Sequence, residues 1–150
     1  MTFVEQTYFR KGFGLKDAIE GALTSDYHSQ LVDAIRAQGH TLMIGDLTLR
    51  LAREFGFCYG VDRAVEYAYE ARTKFPERRT FLVGEIIHNP HVNSKLRVMG
   101  VQFLFRTAGG EFDFGGLTPA DVVILPAFGV TVHDFARLRS YVDSLLVHRT

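Results

Sequence analysis

Asp121-Val122-Val123-Ile124-Leu125-Pro126-Ala127-Phe128-Gly129 is the stretch that decides the fold. After Asp121 it is continuously apolar, as a strand buried on both faces should be. It runs into a proline-to-glycine turn, and Thr131 is placed to cap a helix reaching Arg139. A strand buried on both faces needs neighbouring strands and covering layers, so the rest of the chain is read outward from it.

Upstream, Thr80 to Val83 is a short apolar strand whose edge Ile86-Ile87 extends. His88-Asn89-Pro90 is a turn, and Pro90 suits the first position of a helix over His91 to Met99 with Val92, Leu96 and Met99 inward. Gly100 stops that helix, and Val101 to Phe105 is a further strand. Gly109-Gly110 and Gly115-Gly116 bracket a loop or small hairpin. Val142 to Val147 reads as a last strand. Further upstream, Leu47 to Ala52 alternates apolar and polar residues and reads as the first strand. The turn Phe55-Gly56-Phe57-Cys58-Tyr59-Gly60 follows, then a helix with Val61, Ala64, Val65, Ala68, Tyr69 and Ala71 on its pattern, ending near Phe75 before Pro76. This alternation predicts an α/β fold: a small, mostly parallel sheet with helices on both faces.

Residues 1–46 read as a helical N-terminal extension packing on a main lobe of residues 47–150. Arg10-Lys11-Gly12-Phe13-Gly14 is a loop, and Asp17 to Leu23 a short helix. Ser25-Asp26 suits the cap of a second helix, Tyr27 to Gln38, with Leu31, Ala34 and Ile35 on one face and Gly39 ending it.

Hydrophobic residues make up 47% and charged residues 23%, ordinary for a globular protein. Seventeen Lys+Arg balance 17 Asp+Glu, so no broad basic face points to nucleic acid. The cluster Arg72, Lys74, Arg78 and Arg79 reads as the solvated end of a helix and its turn. No run approaches the ~18 apolar residues of a membrane span. Met1 to Gln6 lacks a secretory layout, so the expected location is cytoplasmic. The single cysteine cannot form an internal disulfide.

In open parallel sheets, ligands bind beyond the carboxyl ends of the strands. Cys58, His88 and Phe128-Gly129 each follow a strand-like run, so the three turns are expected to meet at one edge. A cysteine between glycines just before a helix suits a stabilised thiolate, as nucleophile or metal ligand. The same position also suits a buried structural cysteine. His88 beside Asn89 suits hydrogen bonding to a phosphate or carboxylate, or holding its own turn together. His91 opens a helix and is expected to be exposed; Ser94 and Lys95 either help with an anion or face solvent. Asp62 and Arg63 suit a surface pair of little weight. His28, His40, His133 and His148 fit no metal-ligand spacing.

Three motifs carry a resemblance. Phe55 to Ala64 resembles the signature of the 4-hydroxy-3-methylbut-2-enyl diphosphate reductase, or LytB/IspH, family. So does Glu85-Ile86-Ile87-His88-Asn89-Pro90-His91-Val92-Asn93. Pro126-Ala127-Phe128-Gly129-Val130 is similar to the form in the plant and cyanobacterial branch. Phe9-Arg10-Lys11-Gly12-Phe13-Gly14 and the helix after it resemble that branch's N-terminal extension.

The resemblance implies an iron–sulfur oxidoreductase closing the non-mevalonate isoprenoid pathway. An allylic hydroxyl is reductively removed from a diphosphate substrate, giving isopentenyl and dimethylallyl diphosphates. It implies a [4Fe-4S] cluster with Cys58 as the first of three cysteine ligands, and His88 holding the substrate diphosphate. Phe128 stands where the other branch has a second diphosphate histidine. Ferredoxin or flavodoxin is the implied electron donor. The family fold has three α/β lobes with one cysteine from each, whereas this chain matches one lobe and has one cysteine. After Arg139 an Asp-Thr-Thr-Cys-like motif is expected, and Ser140 to Thr150 lacks it. The chain therefore reads as the N-terminal lobe of a reductase, inactive alone. Three alternatives stay open: a partner chain or further copies supplying the missing lobes, an anion- or diphosphate-binding module without redox chemistry, and a thiol enzyme pairing Cys58 with His88.

Overall fold

The computed structural model describes residues 7–9 and 12–146. Arg10-Lys11 of the opening loop, Val147 at the end of the last expected strand, His148 and the Met1–Gln6 terminus lie outside the described residues. The elements in order are β1 (Thr7–Phe9), α1 (Lys16–Tyr27), α2 (Gln30–Ala37), β2 (Thr41–Ile44), β3 (Leu47–Arg50), α3 (Tyr59–Lys74), β4 (Thr80–Val83), α4 (Pro90–Val98), β5 (Val101–Leu104), β6 (Val122–Ile124), α5 (Val132–Leu138) and β7 (Ser144–Leu146).

Five strands form one sheet in the order β1-β7-β6-β4-β5, every pair parallel. Alternating residues of the central strands feed two cores. Leu82, Val122 and Ile124 face one side, packed by Ile19 of α1, by Ala64, Val65 and Ala68 of α3, and by Val92 and Leu96 of α4. Phe81, Val83, Val123 and Leu125 face the other, packed by Phe112, Phe114, Leu117 and Leu138. Helices therefore cover both faces, three on one side and α5 with an aromatic loop on the other. Complete burial of Val122 and Val123 accounts for the unbroken apolar run that made this strand legible.

The punctuation residues act as their chemistry dictates. Pro90 opens α4, while Asn89 Oδ1 accepts the backbone N–H groups of His91 and Val92 at 3.0 and 3.2 Å. Thr131 Oγ1 caps α5 by accepting from Asp134 N at 3.0 Å. Arg106 and Phe112 form a bridge that closes the 107–111 turn, so Gly109-Gly110 lies inside the turn and not at the edge of a segment reaching Gly115-Gly116.

Four expectations need correction. The strand at Leu47 to Ala52 is not the first strand of the main sheet. It is β3, paired antiparallel with β2 in a separate hairpin, and its four residues are all exposed. Alternation alone cannot tell a half-buried sheet strand from a hairpin arm. The position at the β7 edge is taken by β1, from residues read as loop and extension. Ile86 and Ile87 do not lengthen β4; they are buried in the loop after Gly84, whose φ of 70° turns the chain. The second helix starts at Gln30 and not Tyr27, capped by Ser29, and Leu31 and Ala34 are exposed while Ile35 is buried.

Residues 12–28 are strapped to α3. Buried Glu70 accepts the backbone N–H groups of Phe13 and, at 3.2 Å, of Leu15. Buried Glu66 pairs with Lys16 at 3.0 Å. A Cβ on Gly12 would lie 2.6 Å from Glu70 Oε2 and 2.8 Å from Tyr67 Cε1, so the close approach needs glycine. The expected division between residues 46 and 47 falls inside the β2–β3 hairpin.

Candidate functional site

The site lies at the carboxyl edge of the sheet, where the strand order reverses between β4 and β6. Two loops leave the sheet there in opposite senses, and such a switch point leaves a crevice. One loop holds His88 and the other holds Phe128-Gly129. They touch through the backbone, Ala127 N–H donating to Ile86 O at 3.4 Å. Phe128 stands 80% exposed, and Gly129 has a φ of 77°, as the tight turn requires.

His88 is the apex of a three-residue turn closed by Asn89 N–H donating to Ile87 O at 2.8 Å. A side chain at that apex is pushed away from the core, and the His88 side chain is 91% exposed. Its Nδ1 lies 3.2 Å from Glu85 Oε2, leaving Nε2 outward.

Cys58 is the N-cap of α3, with extended backbone (φ −69°, ψ 159°) and an exposed side chain that makes no capping hydrogen bond. The burial that a structural cysteine would require is absent. α3 runs back toward the amino ends of the strands, so its start shares the edge with the His88 turn. The approach to Cys58 is from the β2–β3 hairpin and not from a strand of the main sheet, which corrects the expected route. Gly56 has a φ of 116°. Tyr27 meets Phe57 edge-on with centroids 5.9 Å apart, and the Arg36 guanidinium lies 4.7 Å over the Phe55 ring. An open cavity of about 400 Å³ joins this loop to the next, lined by Tyr27, Gly56, Phe57, Asn89 and His91 among others.

His91 is exposed, as expected, but its Nε2 is 3.0 Å from Asp26 O. Lys95 is spent on Asp26 at 2.7 Å and is not free for an anion. Asp26 also accepts from Tyr69 Oη at 2.7 Å. The Lys95 bond first, and then that of Tyr69, hold the Asp26 carboxyl below its ordinary value, while burial pushes the Tyr69 phenol far up. The bond between Asp26 and Tyr69 escaped the sequence reading because they lie 43 positions apart. Arg63 pairs with Glu66 at 2.7 Å and not with Asp62.

Residues 49–145 match the model of the family described as LytB protein. The chain belongs to the LytB family. Two LytB relatives carry the name 4-hydroxy-3-methylbut-2-enyl diphosphate reductase. One, from Thermosynechococcus vestitus, is 50% identical over 133 residues, covering 89% of this chain and 33% of the relative. The other, from Picosynechococcus sp., is 48% identical over 133 residues with the same coverage. A solved structure of (E)-4-hydroxy-3-methyl-but-2-enyl diphosphate reductase, the terminal enzyme of the non-mevalonate pathway, superposes with a TM-score of 0.50 at 28% identity. That superposition covers 65% of this chain and 32% of the solved one. The chain thus spans about a third of the length of the LytB proteins it matches.

The LytB lobe offers one cysteine sulfur as a candidate iron ligand, exposed at the start of α3. Among the described residues no group of three or more His, Cys, Asp and Glu side chains is placed to hold a metal ion. The donor set therefore fits one corner of an iron–sulfur cluster and not a whole one. No described helix is long and apolar enough to cross a membrane.

Proposed function

We propose that this chain is the first lobe of a 4-hydroxy-3-methylbut-2-enyl diphosphate reductase acting in the cytoplasm, with ferredoxin or flavodoxin as electron donor. The observation that supports the reading is that the Gly56-Phe57 loop beside Cys58 shares a cavity with Asn89 and His91, while Ala127 of the Phe128 turn bonds Ile86 of the His88 loop. The Cys58, His88 and Phe128 side chains are all exposed. Cys58 would hold one iron of a [4Fe-4S] cluster, which when bound supplies the electrons for reductive loss of the allylic hydroxyl. As the imidazolium, with both ring nitrogens protonated, His88 would donate from Nε2 to the substrate diphosphate and from Nδ1 to Glu85, which holds the ring orientation. Phe128 adds an apolar wall in place of a second anion contact.

With one cysteine in the chain, two further thiolates have to come from elsewhere, so the isolated chain is expected to hold no stable cluster and to be inactive. Anaerobic reconstitution with iron and sulfide tests this, read by visible absorbance, iron counting and reduction of the allylic diphosphate. A stable cluster with turnover, both lost in Cys58→Ala, would show instead that copies of the chain complete the site. The thiol-enzyme alternative is not favoured, because His88 Nδ1 faces Glu85 and no hydrogen bond joins the imidazole to Cys58.

A further inference from the structure

We infer that Asn93 is a positioning residue that fixes the Ile87-His88-Asn89 turn and so sets where the His88 imidazole meets an anionic ligand. The inference rests on the diphosphate-binding reading of His88 and adds a residue to it.

Asn93 is 1% exposed on α4, where the other buried side chains are Val92 and Leu96. Its Nδ2 donates to Ile87 O at 3.0 Å. Ile87 O also accepts Asn89 N–H at 2.8 Å, the bond that closes the turn around His88. Asn93 N–H in turn donates to Asn89 O at 3.0 Å. Asn93 therefore grips the turn on both sides of His88, by side chain to the residue before and by backbone to the residue after. Ile87 sits next to Ile86, whose carbonyl meets the Phe128 turn, so the same grip also holds the base of the crevice.

Stability alone does not account for an asparagine here. Among the described residues its Oδ1 is buried without a hydrogen-bond partner, and an unsatisfied buried acceptor costs at least as much as one amide bond returns. A leucine of similar volume would remove both the bond and the orphaned acceptor. What leucine cannot do is hold Ile87 O. A buried polar group that is neutral or costly for folding, yet bonded to the backbone of a ligand-binding turn, is explained by placement of that turn.

The test uses the 150-residue chain with inorganic diphosphate as probe, in the parent, Asn93→Leu, His88→Ala and the double variant. Asn93→Leu should melt no lower than the parent, yet bind diphosphate about tenfold more weakly, because the competent turn is populated only part of the time. The Asn89 amide should exchange with solvent about tenfold faster or more. In the His88→Ala background the same substitution should have no further effect on affinity, since it acts through His88. Parent-like affinity in Asn93→Leu with His88 intact, or equal losses in both backgrounds, overturns the inference. If His88→Ala binds diphosphate as the parent does, the reading of His88 has failed, and exchange at Asn89 alone decides whether Asn93 holds the turn. Unchanged exchange there overturns it.

Discussion

The two ends of the parallel sheet are built on opposite lines. At the amino ends of β4, β6 and β7, arginines spend their hydrogen bonds within the fold, Arg79 with its side chain still half exposed. Arg72 donates to the carbonyls of Met99, Phe75, Arg78 and Pro76 and to Thr80 Oγ1. Arg78 bonds Ala120 O, Asp121 O and Ser144 Oγ. Arg79 grips Asp121 through two nitrogens at 2.8 and 2.6 Å. Apart from Lys74, the cluster expected to be a solvated helix end is instead a clamp that joins α3 to three strands. At the carboxyl ends, Cys58, His88 and Phe128 leave their side chains in the open. The difference teaches where a parallel sheet keeps its stability and where it keeps its chemistry. Groups that finish their bonds internally hold the fold, and groups left unfinished are available to a ligand.

Substitutions can break or sharpen that contrast. The largest expected effect is at Cys58. If added chains or lobes complete a cluster, Cys58→Ala should abolish it by iron count, while urea unfolding changes by no more than about 0.5 kcal/mol because the side chain is exposed. A large stability loss there would erase the contrast. Arg72→Ala should do the reverse. It orphans carbonyls at the end of α3 and of α4 and should cost about 3 kcal/mol in urea unfolding, with diphosphate affinity unchanged.

Asp121 gives a smaller effect with a signature in pH. Burial alone would push its carboxyl up, but Arg79 and the backbone and hydroxyl of Thr118 outweigh burial and hold it below its ordinary value. Its folded pKa is thus lower than its unfolded one. Its stabilisation is fully present above the unfolded value of about 4 and is lost as pH falls through the folded one. Asp134 behaves alike, with Thr131 and Arg106 outweighing burial. Stability should therefore fall steeply below about pH 4, and Asp121→Asn should flatten that fall. A parent-like acid profile in the variant would remove Asp121 from the clamp. Least of all, His88→Ala should leave unfolding within about 0.5 kcal/mol of the parent, its ring exposed and paired with the partly exposed Glu85.

The sequence by itself determined the elements whose signals are local. β4, β6, α3, α4 and α5 follow from apolar periods bounded by Pro90, Gly100, Thr131 and the Phe55–Gly60 turn, because those residues restrict the backbone whatever surrounds them. The motifs at Cys58, His88 and Phe128 were legible for the same reason. Only the tertiary structure decided that Leu47–Arg50 leaves the sheet for a hairpin, that Thr7–Phe9 takes an edge beside β7, and that Arg72, Arg78 and Arg79 are spent within the fold. It also decided that Asn93 reaches back to Ile87. A strand's partner, and the acceptor of a long side chain, are set by which segments the packed core brings within about 3 Å, and no period in the chain records that distance.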